Sequence, residues 1–137
     1  MSANPYQQYR ATAIETASPL GIIVMLYQGV LRFTQRGIQA VEQRDLDAAH
    51  TSFVRAQAIV LELAAHLDLE AGGEPARNLN ALYVYANRRL VEANVRKEAG
   101  PAIEVVRMFR ELLPAWQALA EGKPASASVS AAVVGVR

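Results

Sequence analysis

Residues 46–67, LDAAHTSFVRAQAIVLELAAHL, decide the fold. Leu46, Ala49, Phe53, Ala56, Val60, Leu63 and Leu67 recur in steps of three and four, the spacing that stacks side chains on one face of an α-helix. A second stripe, Val54, Ala58, Leu61 and Ala65, runs beside the first. One stripe is enough to bury a helix against a core. The second either widens that contact or leaves an apolar groove between helices for a partner segment.

Working outward, the same period recurs in three further segments. Ser18-Pro19 opens a helix that should run to about Gln43, since serine caps free amides and proline at the first position loses a donor that had no partner. Asp45 can cap the segment quoted above, to about Leu67. Gly72-Gly73 then loosens the chain, and Glu74-Pro75 starts a third helix ending near Lys97. Its main seam reads as Leu79, Leu82, Ala86, Leu90 and Ala93, with Val84, Val91 and Val95 to one side. Gly100-Pro101 starts a fourth, carrying Ala102, Val105, Phe109, Leu112, Trp116 and Leu119 and ending before Gly122. Ile103, Val106 and Leu113 widen its face, and the first helix is apolar over most of its circumference. Helices of about 20 residues with short connections favour antiparallel neighbours. The expected fold is all-α: an antiparallel up-down four-helix bundle over residues 18–121, with a flexible N-terminal segment, 1–17, and a C-terminal tail, 122–137. The tail is expected to be disordered, although Val129, Val133, Val134 and Val136 could also occupy an apolar groove, its own or a neighbour's.

Composition narrows the function classes. In 137 residues, 14 Lys and Arg face 13 Asp and Glu, a net charge of +1. That balance argues against a nucleic-acid binder and gives no reason for an anionic membrane as partner. With no cysteine there is no disulfide scaffold, thiolate metal site or Cys nucleophile. Hydrophobic residues make up 52% against 20% charged, more apolar surface than a core of this size should need. Residues 1–17 lack an apolar signal-peptide centre, and Leu20 to Leu26 is far shorter than a membrane span. The expected location is cytoplasmic.

Chemical constellations are scarce. His50 and His66 lie on the second helix, and Glu62 with His66 makes a single one-turn pair, whereas di-iron bundles repeat Glu-x-x-His twice with further carboxylates. Gly72-Gly73 precedes an acid and lacks the Lys-Ser/Thr of a phosphate loop. The expectation is therefore a binding protein, with no catalytic residue, metal or cofactor. Tyr83 and Tyr85, two apart, must point to different faces, so at least one reaches the surface. Arg88, Arg89, Arg96 and Lys97 read as a solvated flank supporting the helix C-terminus. Asn94, an amide among apolar neighbours, should hydrogen-bond something specific, a partner's backbone among the candidates.

Several stretches together resemble one family. Thr16-Ala17-Ser18-Pro19 followed by Ile22-Ile23-Val24-Met25-Leu26-Tyr27-Gln28-Gly29 looks like the opening of FliS, the flagellin-specific export chaperone. Ala56 to Leu63 leading into Leu67-Asp68 is a second match. The third comprises Gly72-Gly73-Glu74, Asn78-Leu79, Leu82-Tyr83, Tyr85, Arg88-Arg89-Leu90 and Glu92-Ala93-Asn94, with Trp116 closing the pattern. Gly21 and Glu98 depart from it only slightly, and the tail after Gly122 has no resemblance.

The resemblance implies a four-helix bundle that holds the disordered C-terminal segment of flagellin in hydrophobic grooves. It thereby prevents premature polymerisation and delivers the subunit to the flagellar type III export gate. Carried over by position, the groove residues are Ile22, Leu26, Leu79, Leu82, Tyr83, Leu90, Asn94 and Val95. The leader tyrosines Tyr6 and Tyr9 take the place of the docking point for the cytoplasmic domain of the gate. Periodicity alone leaves open which of the groove candidates face the core. It also leaves open a homodimer built on the wide stripes, a structural module that ignores flagellin.

Overall fold

The computed structural model describes residues 18–124. Four helices follow in order: α1 (Pro19–Glu42), α2 (Leu46–Ala65), α3 (Gly73–Arg96) and α4 (Ala99–Ala120). Each packs on its neighbours in the chain, and α4 closes back on α1, so the chain forms an up-down four-helix bundle. The α3–α4 seam is the slightest of the four.

The helix ends follow the local chemistry. Ser18 Oγ accepts from the Gly21 amide at 3.0 Å, and Asp45 Oδ1 accepts from the Ala48 amide at 3.2 Å. In the α2–α3 connection, Asp68 Oδ1 accepts from the amides of Glu70 and Ala71, both at 3.1 Å. Lys97 takes a left-handed conformation (φ 52°) and ends α3, and its ammonium donates to the Asn94 carbonyl at 2.6 Å. α4 begins at Ala99, one residue before the expected Gly100-Pro101, after an extended Glu98. Pro114 lies inside α4 without ending it. It is exposed, so water can reach the Arg110 carbonyl that loses its helical donor. α4 closes at Gly122 (φ 75°), where the Lys123 amide donates back to the Ala118 carbonyl at 2.7 Å and turns the chain off the helix axis.

The core follows the first stripe of each helix, with corrections at the ends: Leu46, on the first turn of α2, is 54% exposed, and Leu112 and Leu119 of α4 are only half-buried. On α2, Ala49, Phe53, Ala56, Val60 and Leu63 are buried, as is Leu67 just beyond it. On α3 the buried row is Ala76, Leu79, Tyr83, Ala86, Leu90 and Ala93. This corrects the expected seam, because Tyr83 stands inside and Leu82 only half inside. The Tyr83 hydroxyl meets the Tyr27 hydroxyl at 2.7 Å, so its polar tip is satisfied in the interior, and of the pair Tyr83 and Tyr85 it is Tyr85 that reaches the surface. Tyr27, Tyr83, Phe109 and Trp116 form an aromatic centre, with Tyr27 and Phe109 centroids 4.9 Å apart and Tyr27 edge-on to Tyr83 at 6.3 Å. Burial pushes the Tyr27 pKa up to about 12, against the lowering effect of the Tyr83 hydroxyl, and pushes Tyr83 up further. At the other end Gly37 admits the Phe53 ring: a Cβ there would stand 2.6 Å from Cδ1 and 2.8 Å from Cζ.

Candidate functional site

The second stripes are where the fold leaves apolar surface uncovered. Asn94 of α3 touches His50 of α2, Nδ2 to Nδ1, at 3.0 Å. That contact fixes which flanks of the two helices face each other. Steps of three and four from His50 along α2 lead to Val54, Ala58, Leu61 and Ala65; the same steps back from Asn94 along α3 lead to Val91, the exposed Arg88, Val84 and Ala81, with Val95 adjacent. Because α2 and α3 are antiparallel, these rows run side by side as the two walls of a groove. Val54, Leu61, Val84, Val91 and Val95 are five of the ten large apolar side chains exposed among the described residues, Leu61 at 58% and Val95 at 77%. Ala58, Ala65 and Ala81, also exposed, keep the groove shallow.

Its floor carries polar groups. Asn94 is buried and already committed: besides His50, its Oδ1 accepts from Lys97 Nζ at 2.6 Å. Asn87, two turns earlier on the same flank, carries a buried Oδ1 with no hydrogen-bond partner. Asn80, Asn87 and Asn94 recur every seven residues, a signal visible in the sequence that the apolar count passed over.

Other faces are dressed differently. Arg32, Arg36 and Arg55 hold their guanidinium carbons 5.1, 5.3 and 5.5 Å from the centroid of the Phe33 ring on the α1–α2 side. On the α3–α4 side, Arg89 pairs with Glu92 at 2.7 Å and with Glu104 at 3.5 Å, and the Glu104 carboxylate raises the pKa of the exposed Tyr85. An open hollow of about 390 Å³ on α4 is lined by Ile103, Val106, Arg107, Arg110 and Glu111, too mixed and too open to enclose a small molecule. Among the described residues no three His, Asp or Glu side chains gather where they could hold a metal ion. No helix of the described residues is long and apolar enough to cross a membrane.

A bundle with an exposed apolar flank is a common enough object, and the comparison with known families narrows it. The family model described as flagellar protein FliS matches residues 2–123. The chain belongs to the FliS family. It is 33% identical over 114 residues to the flagellar secretion chaperone FliS of Bacillus subtilis (strain 168), covering 83% of this chain and 84% of that one. The namesake of Campylobacter jejuni is 37% identical over 117 residues, 85% of this chain and 89% of the relative. That of Salmonella typhimurium is 37% identical over 107 residues, covering 77% and 79%.

The residues that the FliS resemblance suggested for the groove separate into three groups. Leu26, Leu79, Tyr83 and Leu90 are in the core. Their helical phase coincides with the buried stripe, so they pack in the bundle beneath the α2–α3 flank, which answers for these four the question that periodicity left open between groove and core. Ile22 and Leu82 are half-buried, and Val95 is open to solvent. Ile22 is on α1 and Leu82 is half-buried against the core, so neither belongs to the rows of the α2–α3 groove. Asn94 is spent on His50 and Lys97 within the bundle, which leaves less of its side chain for a partner. Tyr6 and Tyr9 lie outside the described residues.

Proposed function

We propose that this FliS-family protein is a cytoplasmic export chaperone that receives the disordered C-terminal segment of flagellin, with the α2–α3 groove as a principal seat. It keeps that segment from polymerising early and brings the subunit to the export gate. The observation that carries the reading is the pair of exposed apolar walls, Val54–Leu61 on α2 and Val84–Val91–Val95 on α3, in a chain that matches the family from residue 2 to 123. A segment laid there as a helix would present apolar side chains to both walls.

Magnitude limits what the groove can do alone. Covering the remaining exposed area of these five side chains is worth on the order of 1 kcal/mol each. Association and the ordering of a disordered segment cost as much or more. A client must therefore wrap beyond this groove, and the half-buried Ile22 and Leu82 are sites for its continuation. The leader residues Tyr6 and Tyr9 serve the second partner, the cytoplasmic domain of the gate, so the two partners take different surfaces.

The test is titration of a flagellin C-terminal peptide into the purified chain, followed by calorimetry and light scattering. A one-to-one complex, weakened at least tenfold by Leu61→Asp or Val91→Asp with unchanged helicity, supports the groove. Unaltered affinity in both variants removes it. A stable homodimer indifferent to the peptide would replace the chaperone reading with the structural-module one. For the gate, Tyr9→Ala should reduce docking and export while leaving the flagellin affinity unchanged.

A further inference from the structure

The groove has a candidate occupant in the chain itself. α4 ends at the same end of the bundle as α2 ends and α3 begins, a consequence of the up-down order. At that end Gly122 adopts φ 75° and the Lys123 amide bonds back to Ala118, so the backbone does not continue outward along α4; Pro124 then prevents resumption of the helix. Beyond it come 13 residues, Ala125 to Arg137, with no acidic side chain and four valines. With 125–128 extended and 129–136 helical the segment spans about 25 Å, more than the roughly 10 Å diameter of a helix, so crossing the end of α3 into the near end of the groove is within its span. Val129, Val133 and Val136 stand at i, i+4 and i+7, the anchor spacing of a helix that lays one face into an apolar groove. The alanines and serines between them suit a shallow seat walled by Ala58, Ala65 and Ala81.

We propose that residues 125–137 are an intramolecular competitor that occupies the Leu61–Val84 end of the α2–α3 groove when no client is present. The competition rests on the proposed function; the seating of the tail does not. A tethered segment acts at a millimolar effective concentration, so weak intrinsic contacts are enough to hold it in place and still let a client displace it. The apparent client affinity is then reduced by the fraction of time for which the groove is free.

The chain has no cysteine, which makes cross-linking clean. Val133→Cys is combined with Leu61→Cys in one protein and with Met25→Cys in another. Met25 is exposed at the same end of the bundle but on α1, which contributes nothing to this groove. Under mild oxidation the proposal expects the Leu61 pair to close within the monomer at least tenfold faster than the Met25 pair. Equal rates overturn it, and so does cross-linking only between molecules, which would give the groove to a second copy. Separately, the chain ending at Pro124 should bind the flagellin peptide several-fold more tightly than the full chain, about tenfold if the tail fills the groove nine-tenths of the time. Equal affinities overturn the competition. If the selective cross-link forms but neither chain binds the peptide, the tail's seating stands and the flagellin reading falls.

Discussion

The hydroxyls of Tyr27 and Tyr83 meet 2.7 Å apart in the middle of the bundle, joining α1 to α3 across its diagonal. Either atom can donate, and among the described residues each is the other's only partner of good geometry, since the neighbouring Trp116 Nε1 makes no such bond. Removing one hydroxyl therefore leaves the other buried and unsatisfied. Tyr27→Phe and Tyr83→Phe should each lower stability by about 1–2 kcal/mol. The double variant should cost less than the sum, because it removes both polar groups. Urea denaturation of the three variants checks this, and strict additivity would contradict it.

The same pair sets an alkaline limit. Both tyrosines have folded-state pKa values above the ordinary 10.0, Tyr27 at about 12 and Tyr83 further up, because burial disfavours the phenolate. Below pH 10 folded and unfolded chains alike keep these protons, and the stabilisation is fully present. As pH rises past 10 the unfolded chain releases them first, so stability falls by about 1.4 kcal/mol per pH unit for each tyrosine until the folded form titrates as well. Denaturation midpoints measured from pH 8 to 11.5 should be flat and then decline. A midpoint unchanged to pH 11.5 would contradict the burial.

Gly37 and Phe53 interlock at the opposite end. Phe53 is fully buried, so its ring cannot swing aside for a methyl group that would stand 2.6 Å from Cδ1. Gly37→Ala should destabilise by roughly 2–3 kcal/mol through overpacking, despite alanine's better helix propensity. Adding Phe53→Leu should return part of that loss, and a thermal-denaturation cycle measures the coupling.

Asn94 ties α2 to α3 and also receives the Lys97 ammonium at the end of its helix. Asn94→Ala frees His50 and Lys97, both able to reach water, so the expected loss is only about 1 kcal/mol. Amide exchange should rise in the last turn of α3 and the first of α2 without change at the aromatic centre. Exchange rising uniformly would mean that the contact is global in its effect.

The helices were legible because each carries its apolar residues at the helical period, and two of the four start at capping residues; Ser18 and Asp45 cap as their side chains suggest. The division between core and groove was less legible. Leu82 and Tyr83 are adjacent, and hydrophobicity favours the leucine for the interior, yet the tyrosine goes inside because Tyr27, 56 positions away, supplies its hydrogen bond. Periodicity within one helix has no access to such a partner. Leu90 and Val91 pose the same problem: both are apolar, and only the phase fixed by the whole of α3 sends one to the core and the other to solvent. Asn87 was missed for a different reason, since its interest lies in an absent hydrogen bond.

The three arginines around Phe33 have a bearing on how the molecule behaves in a crowd. They wrap the Phe33 ring on the α1–α2 side in hydrated positive charge, while five of the ten exposed large apolar side chains among the described residues gather on the α2–α3 side. A particle adhesive on two sides can bridge and so build chains and networks; one adhesive on a single side has a valence of one and can only terminate. On the proposed reading, concentrating exposed apolar surface on one side favours a bundle that caps a self-assembling client over one that bridges two.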